Sequence, residues 1–348
     1  MLKNREKWMR ICEAMDQVMT LPFHGRQTVK GEDLIKEIYG GFRRLTKRPL
    51  ILSCLERLMG TEVKRRTVFL VTGAAGKYFI PEIGETDGPL GTAVLARTFA
   101  RGLKALPVIL TDVEQVDALK LILQSVGLTI TDLRKGEKDL KLSENPNSAV
   151  LMPFPKSHDK AKKEAAHLVS SLKPAAAVSI ERGGFNPKGH YHTSNGILVD
   201  WKAKMDYIFQ RCQEERVLTI GIGDGGNEIG MGKIFDLLSK RHRFGMTCQC
   251  PCKSGVISVT ETDCTIVSTI ANWGAYALSN AVAAYLDRRD LFHLPSAEEV
   301  LLNTAIKAGF VDAKSGSGIP YVDGVSLEPD LCVVHLLKCL AEQSIYPG

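Results

Sequence analysis

Val217-Leu218-Thr219-Ile220-Gly221-Ile222-Gly223-Asp224-Gly225-Gly226-Asn227-Glu228-Ile229-Gly230-Met231-Gly232 is the stretch that decides how this chain folds. Its first part, Val217 to Ile222, is a short apolar run of the kind that forms a buried strand, and a helical pattern over Ile229 to Lys240 follows. Between them lies a loop dense in glycine that carries Asp224, Asn227 and Glu228. Strand, polar loop and helix in that order make one βα unit of a parallel sheet. Flexibility alone does not require so many glycines with acids set between them, so Asp224, Asn227 and Glu228 are read as parts of a functional site.

Working outward, the same pattern recurs from Thr67 onward. Strands are expected at Val68 to Val71, Val108 to Leu110, Ala149 to Met152, Ala176 to Ile180, Val217 to Ile222 and Cys264 to Ile270, with a short further one at Leu128 to Ile130. Helical spacing marks Gly91 to Leu103, Glu114 to Val126, Asp159 to Leu172, Lys204 to Glu215, Ala275 to Leu286, Ala297 to Ala308 and Leu331 to Glu342. The expected fold class is α/β, a three-layer αβα arrangement around a mainly parallel open sheet. Residues 1–60 show only helical spacing, at Trp8, Ile11, Met15, Val18 and Met19 and again at Leu34, Ile35, Ile38 and Phe42. They predict a helical N-terminal segment packing on an α/β domain of residues 61–348.

Composition removes several function classes. Lys+Arg 45 against Asp+Glu 39 leaves a net charge of +6, and the basic residues are scattered apart from short clusters such as Lys64 to Arg66 and Arg241 to Arg243. That is no footprint for nucleic acid. No apolar run approaches the ~18 residues of a membrane helix. Nine cysteines, an odd number and mostly in apolar or helical settings, fit a reducing compartment. Met1 to Arg10, with Glu6 inside it, reads as a poor transit peptide, so no targeting signal is expected there.

In an open parallel sheet, ligands sit beyond the carboxyl ends of the strands, where loops converge and helix N-termini point. The residues there are Thr72 to Gly76, Thr111-Asp112, Glu181-Arg182-Gly183-Gly184, Gly223 to Glu228 and Asn272-Trp273, joined by the loop Gly84-Glu85-Thr86-Asp87-Gly88-Pro89. A single acid at such a place is often only a cap or turn former, and Asp87 and Asp112 taken alone fit that description. Five coincident loops point to a site.

Other motifs test less well. Gly221 to Gly226 satisfies G-x-G-x-x-G, but an acid inside the loop repels a pyrophosphate, and Lys240 to Arg243 stand where a ribose-binding acid is needed. Gly73-Ala74-Ala75-Gly76-Lys77 is too short for a phosphate loop, and Tyr78 replaces its Ser or Thr. Cys248-Gln249-Cys250-Pro251-Cys252 lacks C-x-x-C spacing. With no ligand to complete it but a distant candidate such as His242, zinc is not expected there. His190 and His192 flank Tyr191 and are proton-shuttle candidates. The acids could also hold Mg²⁺ or Mn²⁺, although no cofactor is required.

At these loops the chain resembles the D-glutamate cyclase family, in the C-terminal domain of its mitochondrial members and their bacterial relatives. The matching segments are Glu85-Thr86-Asp87-Gly88-Pro89-Leu90-Gly91, Ile180-Glu181-Arg182 with Gly189, Tyr191 and Gly196, Gly223 to Gly232, and Asn272 to Leu278. The likeness covers Thr67 to Leu286 and departs from the bacterial pattern around Gly183-Gly184 and Cys248 to Cys252. It implies conversion of D-glutamate to 5-oxo-D-proline and water by a hydro-lyase of the mitochondrial matrix, with a second module N-terminal to this one in the full-length protein.

That reaction needs one group to take a proton from the substrate ammonium and another to protonate the departing oxygen. Carboxylates of different pKa can do both, and ring closure within one molecule needs neither ATP nor a redox cofactor. Asp224 is the expected base, Glu181 or Glu228 the acid, and Arg182 a bidentate clamp on the α-carboxylate. Asn227 or Asn272 would donate to the oxyanion, with Glu85, Asp87, Gly225 and Gly226 completing the substrate site. A nucleotide-dependent Rossmann-like enzyme and a non-catalytic acidic amino-acid sensor remain as alternatives.

Overall fold

The computed structural model describes residues 4–23, 25–73, 80–143 and 146–345. Most of the short phosphate-loop match, from Ala74 to Tyr78, lies outside them. Seven strands form one sheet: β1 (Thr67–Val71), β2 (Leu106–Thr111), β3 (Thr129–Thr131), β4 (Ser148–Pro153), β5 (Ala176–Ile180), β6 (Leu218–Gly223) and β7 (Cys264–Val267). Every neighbouring pair runs parallel, in the order β3-β4-β2-β1-β5-β6-β7. All five residues of β1 and of β5 are buried, as befits strands covered on both faces.

Alternation along the strands sends successive side chains to opposite layers. Val68, Leu70, Ile109, Val178, Ile220 and Ile266 face the larger core. It is closed by α1 (Arg5–Met19), α3 (Leu50–Met59), α4 (Pro89–Arg97), α5 (Val116–Ser125), α10 (Ala271–Tyr285), α11 (Pro295–Lys307) and α12 (Leu327–Gln343). Phe69, Val71, Val108, Leu110 and Ala177 face the other layer, built from α6 (Leu133–Leu142), α7 (His158–Leu172) and α8 (Asp206–Glu214). α2 (Leu34–Thr46) packs on β7 and on α9 (Phe235–Arg241), and the three-layer α/β class is as expected.

The N-terminal helices are bound tightly to the sheet. Asp16 of α1 accepts the backbone N–H groups of Leu50 and Ile51 at 2.6 and 3.2 Å, capping α3. Beyond β7, Ser268 Oγ and Thr269 Oγ1 donate to the carbonyls of Met19 and Leu21. These bonds end the expected Cys264 to Ile270 strand at Val267 and fix the start of the 20–33 loop over the sheet edge.

Other differences also have local causes. The helix expected from Ile229 begins only at Phe235, after one 3₁₀ turn, because Gly230 and Met231 bridge to Glu261. α10 begins at Ala271, earlier than expected, so Asn272 sits in its first turn. The helix α6 and a hairpin of β8 (Tyr321–Val322) and β9 (Val325–Ser326) were not foreseen. Asp323-Gly324, with φ of 47° and 81°, is the two-residue turn that could have announced the hairpin.

The connections place the loops. From β1 the chain moves outward through β2 to the edge strand β3, comes back as β4 between those two, then crosses to pair β5 with the opposite side of β1 and continues to β7. The direction of travel reverses between β1 and β5, and the loops beyond their carboxyl ends diverge to leave a crevice.

Candidate active site

A cleft of about 950 Å³ opens there, lined among others by Arg26, Glu85, Asp87, Glu181, Lys202 and Asp224. Each acid arrives from a different loop: Glu85 and Asp87 between β1 and α4, Glu181 directly after β5, and Asp224 directly after β6. Carboxylate oxygens of Asp87, Glu181 and Asp224 all lie within 4.8 Å of one another. The cleft thus gathers three carboxyl groups at one point.

Backbone geometry produces this convergence. Glu181 has φ of 46°, in the left-handed region that costs a non-glycine residue about 1–2 kcal/mol, and its N–H donates to the Ile222 carbonyl. Its neighbour Gly88 has φ of 93°, and a Cβ there would lie 2.9 Å from Glu181 Cβ. A side chain at residue 88 would push the two acidic loops apart.

Asp87 does not cap its own helix. Its oxygens accept the N–H groups of Gly88, Ala271 and Asn272, so it caps α10 from across the cleft. Burial and the charges of Asp224 and Asp323 push its carboxyl up, against those N–H donors. Burial, then Asp224, Glu228 and Asp87, push Glu181 well above the usual carboxylate range. Its Oε2 is buried with no hydrogen-bond partner among the described residues. Glu85 is also raised by burial, with Lys202 opposing.

The remaining expected residues brace the loops. Glu228 receives the Gly225 N–H at 3.0 Å and the Gly226 N–H at 2.8 Å on its two oxygens. A carboxylate therefore occupies the backbone nest where a dinucleotide-binding turn would take a phosphate. Asn227 lines the cleft but spends its amide on the His192 carbonyl at 3.0 Å. Asn272 Oδ1 accepts from Gly88 and Gly91, and its Nδ2 donates to the Thr86 carbonyl. These bonds commit its amide to holding the 85–91 loop.

Arg182 does not line the cleft. It is fully buried, ion-paired with Asp112, and donates to the carbonyls of Gly73 and Ala203 at 2.6 and 2.8 Å. Glu181 turns toward the cleft, and the next side chain points behind it. Of the cations that line the cleft, Arg26 and Lys202 were not among the expected site residues. Arg26 Nη1 lies 2.6 Å from Asp224 Oδ1 and its Nη2 2.7 Å from Asp323 Oδ2. Lys202 is buried, with its amine pulled down by desolvation and by Arg182. Both come from segments without helix or strand periodicity.

Among the described residues, two groups have donor sets for a metal: Asp87, Glu181 and Asp224 in the cleft, and His192, Cys248, Cys250 and Cys252 beside it. The second corrects the expectation that the thiols find no nearby fourth ligand. His242 is not that ligand, since its Nδ1 accepts the Phe244 N–H. His190 pairs with Asp200, and of the two histidines only His192 lines the cleft.

A family model described as D-glutamate cyclase-like, C-terminal, matches residues 35–338. The chain belongs to that family. A stretch of 110 residues is 32% identical to human D-glutamate cyclase, mitochondrial, covering 30% of this chain and 16% of the human protein. This family chain therefore aligns with only a small part of that relative. No helix among the described residues is long and apolar enough to cross a membrane.

Proposed function

We propose that the cleft catalyses cyclisation of D-glutamate to 5-oxo-D-proline and water, a hydro-lyase reaction. The observation that carries this reading is the approach of Asp87, Glu181 and Asp224 within 4.8 Å, beside Arg26 and Lys202. A raised carboxyl next to an ion-paired one is the arrangement that divides acid from base work. Asp224, paired with Arg26, takes a proton from the substrate ammonium. The amine then attacks the γ-carboxyl carbon while Glu181 protonates the oxygen that leaves. Two of the three ammonium protons end in the released water: Asp224 takes the first before attack, the ring nitrogen sheds the second as the tetrahedral intermediate collapses, and together they make up the proton that Glu181 gives and the one that completes the water, so the net charge does not change and no redox partner is needed.

Lys202, rather than the buried Arg182, holds the α-carboxylate as a point charge. Holding the substrate folded supplies much of the rate, since effective molarities of well-oriented intramolecular reactions reach ~10⁵–10⁸ M. The same three carboxylates are a donor set for Mg²⁺ or Mn²⁺, which supports a second reading in which a cation takes the place of the Glu181 proton. The likeness to the human mitochondrial protein supports a location in the mitochondrial matrix and a further module N-terminal to this one.

The test is turnover of D- and L-glutamate by the purified chain, followed by chiral chromatography. Formation of 5-oxo-D-proline from the D-enantiomer supports the reading. Binding of D-glutamate without product would replace it with a sensor. Turnover that survives chelation keeps the proton-borne mechanism, and turnover lost to a chelator and restored by Mn²⁺ or Mg²⁺ selects the cation.

A further inference from the structure

Three thiols and one imidazole converge on a single point beside the cleft. Cys248, Cys250 and Cys252 lie in the segment between α9 and β7, and His192, 58 positions before Cys250, reaches them from the loop after β5. His192 Nε2 is 3.2 Å from Cys250 Sγ and 3.7 Å from Cys252 Sγ. Cys248 Sγ is 3.4 Å from Cys250 Sγ and 3.2 Å from Cys252 Sγ.

An outward shift of the sulfur atoms by a few tenths of an ångström would bring these separations to those around one small ion. Zinc bound at about 2.3 Å to sulfur and about 2.0–2.1 Å to nitrogen sets its tetrahedral ligands roughly 3.5–3.8 Å apart. We propose that His192 Nε2 and the Sγ atoms of Cys248, Cys250 and Cys252 bind one zinc ion in a closed, four-ligand structural site. Alternate cysteines do not form the usual C-x-x-C pair, but the tight 248–252 loop turns all three thiols to one side, and the 190s loop supplies the fourth corner.

The surroundings suit a metal thiolate. His192 and Cys248 are each 2% exposed, so neither serves as a free surface group. Asn186 Nδ2 lies 3.5 Å from Cys252 Sγ as an N–H donor to sulfur, and donates to the Gly255 carbonyl at 2.9 Å. Binding would release the thiol protons, so occupancy falls in acid.

Four protein ligands leave no open position for substrate, so the ion would act by holding two loops together. The consequence for the cleft is direct: His192 lines it, and its carbonyl receives the Asn227 amide at 3.0 Å. Gln249 N–H donates to the Gly196 carbonyl at 3.0 Å across the same junction.

Elemental analysis of the full chain, purified under reducing conditions without chelator, is expected to give about one zinc per chain. Cys248→Ser and Cys250→Ser should each lose most of it, whereas Asp224→Asn should keep it, which separates this site from the carboxylates. Should the cysteine variants fail to fold, replacing zinc by Co²⁺ in the wild-type chain gives an independent answer, because tetrahedral thiolate coordination produces intense visible and charge-transfer absorption. The proposal is overturned by a chain that holds no zinc even after reconstitution, by zinc that survives both cysteine substitutions in folded protein, or by a weak octahedral cobalt spectrum.

Discussion

Arg26 Nη1 lies 2.6 Å from Asp224 Oδ1, joining the loop after the first helix to the loop after the sixth strand. The other arm of the guanidinium holds Asp323 in the β8–β9 turn. One cation thus ties together three segments far apart in sequence, and it offsets the charge of the carboxylate assigned as base.

Arg26→Ala should therefore damage both stability and activity. Removing one partner of a fully buried pair costs ~3–5 kcal/mol, and the partial exposure of Arg26 lowers the expectation to about 2–3 kcal/mol. Urea unfolding reads this directly. Arg26→Lys should recover part of the stability, and an alanine variant as stable as wild type would show that the pair contributes nothing.

Asp224→Asn should lower D-glutamate turnover by ~100-fold or more with the fold intact, as expected for a general base. Retention of more than about half the activity would remove Asp224 from that role. Glu181→Gln should lose a similar factor while raising stability by roughly 0.5–2 kcal/mol, because folding no longer has to protonate the carboxyl of residue 181 or bury its charge. Circular-dichroism melts alongside the kinetics test this pairing of loss and gain, and a destabilised glutamine variant would contradict it.

Asp16 carries a pH signature. Burial pushes its carboxyl from 3.8 to about 7, despite the N–H groups of Leu50 and Ile51 that it accepts. Between those values the native state keeps a proton that the unfolded chain has released. The contribution is thus fully present below about pH 4 and is lost as pH rises toward 7, at no more than ~1.4 kcal/mol per pH unit. The stability difference between wild type and Asp16→Asn should shrink over that interval and then level off. A difference independent of pH would show that Asp16 titrates normally.

Ligand-linked melting separates the function classes. A ligand at about 100 times its Kd adds roughly 2.7 kcal/mol to the native state. D-glutamate or 5-oxo-D-proline should shift the melt, L-glutamate less, and NAD, NADP and ATP not at all, because Glu228 fills the turn a phosphate would use. A shift with ATP or NAD and none with D-glutamate would reverse the assignment.

The strands were legible because buried parallel strands are apolar throughout, and β1, Thr67–Val71, needs no context to be recognised. The acids at strand ends were legible for the same reason, since the loops that follow must converge. Arg182 misled because adjacency to Glu181 in sequence does not fix direction. Residue 181 turns through a positive φ, and residue 182 is drawn to Asp112. Arg26 and Lys202 gave no signal, since their positions depend on loops whose paths are set by tertiary contacts. His192 and the cysteines were each noticed, but spacing along the chain could not reveal a meeting across 58 positions.

The strand order also bears on synthesis. β1 pairs with β2 on one side and with β5 on the other, Val68 standing opposite Ala176. A chain emerging from the ribosome exposes β1 and β2 before β5, which begins at Ala176, has left it. Until then the Thr67-Val68-Phe69-Leu70-Val71 edge is open, apolar and free of charge or proline, the kind of edge that recruits foreign strands. Slow translation before β5, or a truncated product ending near residue 170, should therefore favour aggregation, and chaperone capture of such nascent chains would be centred on this segment.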